Sequence, residues 1–220
     1  MPSRACLLHP VAATSFEELE KISGGLIYSD IYRSPAESLI ARRQKTGVQP
    51  PGYSAHNFGM AVDIALEETI QKFGWDYPGL VAFMESYGWY CHRRDLRSGA
   101  SESWHFNYIG TNEAAKRYLR LANEKAPRTW SQPIEQLIQD MYGKAFVLSI
   151  SQVQQLLRFL RMYSGMIDGV LGPLTQEAIK VFRRAWGLPL GSGIDAALMR
   201  TLYIVSVPLN IIELKKEESV

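Results

Sequence analysis

The sequence predicts an α+β domain followed by a smaller, purely helical one. Three observations carry that expectation. Helix start signals and short β-branched or aromatic runs mix without regular alternation through the first half. Two prolines within seven residues, Pro127 and Pro133, interrupt the pattern. From Leu148 onward the apolar residues recur at helical spacing only.

In chain order, Ser15 with Glu18 reads as a capping box ahead of Phe16, Leu19 and Ile22, with Gly24 as the stop. Leu26 to Arg33, rich in Ile and Tyr, reads as a strand. Ser34 with Glu37 makes a second capping box, with Pro35 at the first helical position and Gly47 as the stop. Met60 to Leu66, Trp89 to Arg93 and His105 to Ile109 read as further strands. Asp76 and Pro78 open a helix over Leu80, Phe83 and Met84 that Gly88 closes, and Thr111 begins another through Tyr118, Leu119 and Ala122.

The first domain is expected at 1–127, a linker with a short helix over Ile134 to Tyr142 at 128–147, a second domain at 148–206 and a tail at 207–220. Three helices are read in the second domain. Val153, Leu156, Leu157 and Leu160 form one apolar face; Leu174, Ala178, Val181, Phe182 and Ala185 form another; Asp195 caps a third that carries Leu198 and Leu202. Gly165 and Gly187 end the first two. About sixty residues make only a marginal core, which suits a docking module better than an enzyme.

Composition narrows the class. Among 220 residues, 46% are hydrophobic and 21% charged, close to globular averages, which excludes a disordered chain. No apolar run approaches the roughly 18 residues that span a bilayer, so no membrane anchor is expected, and Met1 to Pro10 lacks the pattern of a secretory signal. A net charge of +2 is too small to favour nucleic acid as a partner. Cys6 and Cys91 are expected to be free thiols, Cys91 as a small core residue.

The chemistry concentrates in two stretches, Ser54 to Asp63 and Glu102 to Phe106. Together they supply two histidines and two carboxylates. Catalytic zinc commonly takes three ligands from His and Asp or Glu and leaves a fourth position for water; His56, Asp63 and His105 fit that inventory, with Glu102 left over as a base. A lone histidine beside aromatics is more often a structural residue, but four such residues at these spacings are a different matter. His9 and His92 have no ligand-like interval and keep the structural reading. Pro50, Pro51, Gly52 and Gly59 argue against a helix over the first stretch, so the chain must turn between His56 and Asp63, with Gly59 as the candidate. By strand parity Glu102 and His105 need an irregularity near Ser103 to face one metal.

Ser54, His56, Gly59, Ala61 and Asp63, followed by Glu102, Trp104 and His105, resemble the zinc peptidases of the VanY D-alanyl-D-alanine carboxypeptidase type, related to L-alanyl-D-glutamate endopeptidases of phage endolysins. Tyr32, Arg33 and Ser34 upstream, with Tyr87, Gly88 and Trp89 between, extend the match over residues 25–110. The resemblance implies an antiparallel-sheet, hedgehog/DD-peptidase-like fold in which His56, Asp63 and His105 bind Zn2+ and Glu102 activates water. It further implies that Arg33 holds a substrate carbonyl or carboxylate and that Ser54 lies on the substrate side of the metal. Ser103 replaces the family's common proline and Asn107 its frequent arginine, departures that blur the subtype more than the chemistry.

Val153, Gln154 and Leu157, then Gly165, Ile167, Asp168, Gly169, Leu171, Gly172, Thr175 and Ala178, then Phe182, Gly187 and Leu188, resemble the peptidoglycan-binding domain 1 family. That implies bacterial peptidoglycan as the partner, although these residues also suit a plain helical core. Zinc lowers the pKa of bound water to roughly 7, so the expected activity is hydrolysis of a cell-wall peptide bond at neutral pH. D-alanyl-D-alanine carboxypeptidase is the first reading and L-alanyl-D-glutamate endopeptidase the alternative. A non-catalytic, zinc-stabilised wall-binding protein is a third, against which the spare carboxylate of Glu102 speaks. A monomer is expected, synthesised in the cytoplasm and reaching the wall through a holin-type pore, as in a phage endolysin.

Overall fold

The computed structural model describes residues 8–45, 48–91, 102–110 and 147–217. The expected helices from Thr111 and over Ile134 to Tyr142, together with Gly47, Cys6 and His92, lie outside these residues, as does the expected linker except Val147. The elements are α1 (Pro10–Ser23), β1 (Tyr28–Asp30), α2 (Pro35–Gln44), a 3-10 turn (Ala55–Phe58), β2 (Ala61–Ile64), α3 (Leu66–Phe73), α4 (Tyr77–Ser86), β3 (Trp89–Cys91), β4 (His105–Tyr108), α5 (Ile150–Phe159), α6 (Pro173–Ala185) and α7 (Ala196–Glu217). The fold class is α+β. Packing divides the chain into two compact units, one of residues 1–33 with 55–141 and the other of residues 34–54 with 142–220.

In the first unit the described strands form one antiparallel sheet in the order β1-β2-β4-β3. Helix α1 starts five residues earlier than its expected capping box. Pro10 supplies its first turn, and Ser15 sits mid-helix, where its Oγ donates to the Tyr87 carbonyl and accepts from Trp89 Nε1 at 3.1 Å. The serine thus ties α1 to the sheet. Ala12, Phe16 and Leu19 of α1 and Leu80, Val81 and Met84 of α4 are buried, with the Phe16 ring 5.0 Å from Tyr28 and 6.0 Å from Trp89. Gly24 closes α1 in the left-handed conformation, and Asp76 caps α4 through the Gly79 amide at 2.8 Å. Helix α3 was not expected: no side chain caps its start, although Glu67 and Glu68 in its first turn and the left-handed Gly74 at its end are ordinary helix signals.

In the second unit the Ser34/Glu37 and Ser149/Gln152 capping boxes open α2 and α5. Val153, Leu157, Ala178, Ile179, Phe182, Leu198 and Leu202 make the shared core. The expected face of α6 is rotated. Thr175, Ala178, Ile179 and Phe182 are buried, whereas Leu174 and Val181 are exposed, because the stripe that closes the core follows 175, 178, 179 and 182. Gln154 is fully buried: its Nε2 donates to Asp168 Oδ1, the Val170 carbonyl and Thr175 Oγ1, and its Oε1 accepts from the Asp168 and Gly169 amides. One side chain therefore holds the loop between α5 and α6. Residues 50–53 pack on α7, with Thr201 Oγ1 donating to the Pro51 carbonyl at 3.1 Å and Arg200 lying 5.0 Å from the Tyr53 ring.

Gly88 has the positive φ of 82° that a non-glycine residue rarely adopts, and a Cβ there would lie 2.8 Å from the Gly110 backbone. Its carbonyl accepts from the Ile109 amide at 2.9 Å, which fixes how β3 and β4 close. Gly88→Ala should therefore lower stability by about 2 kcal/mol, measured by denaturant unfolding of the full chain. An unchanged midpoint would show that the close approach is not a constraint.

Candidate metal centre

Strand pairing sets out the site. Asp30 of β1 pairs with Asp63 of β2, and Asp63 pairs with His105 of β4. Directly opposed residues point to the same face, so three functional side chains stand in one row across three strands. A register irregularity between Tyr28 and Asp30 brings Asp30 into that row. His56 comes from the 3-10 turn, and Gly59, at φ 64°, reverses the chain before β2 as expected.

The donor atoms converge. His56 Nε2 lies 3.1 Å from Asp63 Oδ1 and 3.1 Å from His105 Nδ1, and His105 Nδ1 lies 2.7 Å from Asp63 Oδ1. His56, Asp63 and His105 form a group of three possible metal ligands with all their donor atoms within 4.8 Å of one another. All three are nearly excluded from solvent. The Ile31 carbonyl lies 2.9 Å from His56 Nδ1 and can only accept, so Nδ1 donates to it and Nε2 is the ring nitrogen that would ligate a metal in the cluster. Edges of about 3.3 Å separate ligand atoms around a tetrahedral zinc with 2.0–2.1 Å bonds. The observed separations are close to that, and the nitrogen and oxygen donor set suits zinc, so these residues fit the ion that the resemblance implies.

Glu102 has φ 66° and is half-buried; its carbonyl accepts from the His105 amide at 3.1 Å. The irregularity expected near Ser103 thus falls at Glu102 itself, a left-handed non-glycine residue of the kind concentrated at functional sites. Two bonds pin the turn: Ile64 N to the Trp104 carbonyl at 2.9 Å, and Tyr77 OH to the Ser103 carbonyl at 2.8 Å. Cys91, a buried thiol, lies 3.0 Å from the same Tyr77 hydroxyl and reads as core.

Arg33 stands beside the cluster. Its Nε and Nη2 donate to Asp30 Oδ2 at 3.0 and 2.7 Å, and Nη2 lies 3.8 Å from Asp63 Oδ2. Asn57 Nδ2 donates to the Arg33 carbonyl at 2.6 Å, tying the arginine to the His56 turn. Ser54 is half-buried at the bend just before that turn.

Sequence reasoning gave no role to Asp30, Asn57 or the Ile31 carbonyl, and noted Asn107, whose Oδ1 lies 3.1 Å from His105 Nε2, only as a departure from the family pattern. Asp30 had a signal, an acid three residues before Arg33. Asn107 had one as well, at the strand period of two from His105.

Burial alone would raise the Asp63 carboxyl pKa, but hydrogen bonds from His105 and His56 and the charges of both rings outweigh it and hold the group far below the ordinary carboxylate range. For His105, burial lowers the pKa; the Asp63 hydrogen bond and charge, with Glu102 and Asn107 adding to them, more than reverse this, and the net shift is upward.

Residues 27–111 match the VanY family, described as D-alanyl-D-alanine carboxypeptidase, and residues 148–194 match the family described as a peptidoglycan binding domain. No curated protein and no solved structure matches the chain. The chain therefore carries a VanY-type domain followed by a helical domain of the peptidoglycan-binding type, the architecture of a cell-wall peptidase.

The two shifts set a pH window for the metal-free chain. A raised His105 contributes stability that is complete below its unfolded pKa of about 6.5 and is lost as pH rises through the folded value. A depressed Asp63 contributes stability that is present above about 3.9 and is lost as pH falls through its folded value. The Tm of the chelator-treated protein should fall as pH is raised above about 6.5, and Asp63→Asn should flatten that decline. A Tm that climbs over the same range would contradict the coupling.

Proposed function

We propose that the protein hydrolyses a peptide bond in the peptide part of bacterial peptidoglycan, as a zinc enzyme of the D-alanyl-D-alanine carboxypeptidase kind. The observation that carries this reading is the convergence of His56 Nε2, Asp63 Oδ1 and His105 Nδ1 beside a carboxylate, Glu102, that the three ligands do not need. Zinc held there would supply an electrophile and lower the pKa of a water molecule toward neutrality.

The chain's own groups do the rest. Glu102, half-buried and close enough for its charge to act on His105, takes a proton from the attacking water and passes it to the departing amine. Arg33, held by Asp30, presents its guanidinium to the oxygen on which negative charge grows, or to the substrate carboxylate. Ser54 contacts the substrate at the entrance to the His56 turn. A spare carboxylate next to three ligands disfavours a purely structural site, which closes with a fourth protein ligand.

The helical domain is the wall anchor, and peptidoglycan is both partner and substrate. Among the described residues no helix is long and apolar enough to cross a membrane. Attachment through a second domain raises the local concentration of the catalytic site at the wall without adding chemistry.

Digestion of purified peptidoglycan, followed by mass spectrometry of the new amino and carboxyl ends, should reveal release of terminal D-alanine. A new D-glutamate amino end would instead assign an L-alanyl-D-glutamate endopeptidase, and no new ends at all would defeat the reading. Glu102→Gln should keep about one zinc per chain and lose at least about a hundredfold in turnover. If that variant loses its zinc, Glu102 is a ligand and the assigned roles are wrong. The same inactive chain leaves the wall intact, so it should sediment with purified walls; recovery in the supernatant would remove the anchor assignment.

A further inference from the structure

Asn107 is 1% exposed in the middle of β4, flanked by Ala61 of β2 and Tyr90 of β3. An apolar residue is the usual occupant of such a position. Its Oδ1 is 3.1 Å from His105 Nε2, while its Nδ2 is buried with no hydrogen-bond partner among the described residues. A buried amide satisfied at one end is disfavoured against an apolar side chain of the same shape, so its presence calls for a role at the end that is satisfied.

We propose that Asn107 is a positioning residue for the metal: it fixes His105 in the tautomer whose Nδ1 lone pair faces His56 and Asp63. The proposal rests on the zinc reading above. Residues 105 and 107 share a face of the strand, so the amide reaches the far side of the imidazole without disturbing the ligand row. A neutral imidazole carries one hydrogen. In the metal-free chain Nδ1 donates to Asp63 Oδ1 at 2.7 Å; when a cation displaces that proton, the acceptor oxygen of Asn107 keeps the remaining hydrogen on Nε2 and leaves the Nδ1 lone pair toward Asp63 and His56. With the amide reversed, Nδ2 would donate to Nε2, the hydrogen would move to Nδ1, and the ring would point it at Asp63 instead of offering a ligand.

The two rings are therefore prepared by different means. His56 is set by a backbone carbonyl, which can only accept, and no substitution removes it. His105 presents the opposite ring nitrogen and is set by a side chain, which a substitution can remove. Partners of this kind to metal-bound histidines typically change metal affinity about 10–100-fold when lost.

The test is zinc affinity of the full chain, measured by competition with a chromogenic chelator. Asn107→Leu should bind zinc about 10–100-fold more weakly, whereas Asn107→Asp, which keeps an acceptor oxygen, should stay close to the unsubstituted chain. Equal affinity of the leucine variant and the unsubstituted chain overturns the inference alone. No zinc uptake by the unsubstituted chain overturns the metal reading and the inference with it. Since the leucine variant can fail to fold, the unsubstituted zinc-loaded chain is also examined by long-range 1H–15N spectroscopy of its histidine rings. Hydrogen on Nε2 of His105 is expected; hydrogen on Nδ1 overturns the assignment.

Discussion

Asp63 is the residue on which the first unit's site depends. Its side chain accepts from or faces both histidines, its second oxygen lies near Arg33, and its strand pairs on one side with the Asp30 segment and on the other with His105. A carboxylate this buried is unfavourable unless it is surrounded by donors or cations. The fold meets that requirement by lining up β1, β2 and β4 so that the donors arrive from neighbouring strands. Sheet register is thus a chemical constraint here, because a one-residue slip of β4 would send His105 to the opposite face.

Charge balance sharpens the point. Asp30 and Asp63 bring two negative charges to the cluster and Arg33 one positive charge, with Asp30 taking the closer, two-pronged contact. Asp63 is left with the distant share of the guanidinium and two imidazoles that are charged only when protonated. A metal-free cluster therefore holds protons, which is why His105 is shifted upward, and a divalent cation would replace them. Arg33 is not consumed by Asp63, and its side chain remains about a quarter exposed.

Much of this was legible in the sequence, for reasons that differ by residue. His56, Asp63, Glu102 and His105 announce themselves by chemical type and spacing, and Gly59 by the turn that the spacing requires. Ser34 and Glu37 form the box their sequence suggests, because capping is a local interaction. Ser15 and Glu18 have the same local pattern, but Pro10 starts the helix earlier and the serine is recruited by Trp89 and Tyr87, residues more than seventy positions away. Long-range packing is what local signals omit. The same holds for Leu174 and Val181, whose apolar character fitted the expected stripe although Thr175 and Ile179 face the core. Asp30 and Asn107 were hidden differently: each lies within three positions of the residue it touches, Arg33 or His105, but a single acid or amide near a functional residue carries no distinctive signal of its own.

The second unit complicates a simple division between a cutting domain and a tethered anchor. Residues 50–53 belong to its packing: Thr201 bonds the Pro51 carbonyl, Arg200 covers Tyr53, and a Cβ on Gly52 would lie 2.9 Å from Ile204 Cδ1. Gly52, at φ 90°, is there both for its backbone conformation and for that close approach. In the sequence these residues stand between Arg33 and His56, inside the stretch that matches the VanY family. Removing the chain from Leu148 onward would strip α7 from residues 50–53 and expose a loop that now has a buried hydrogen bond. Deletion therefore would not separate the proposed wall attachment from the proposed hydrolysis cleanly. Substitutions that leave the packing of α7 intact are the appropriate way to test the two apart.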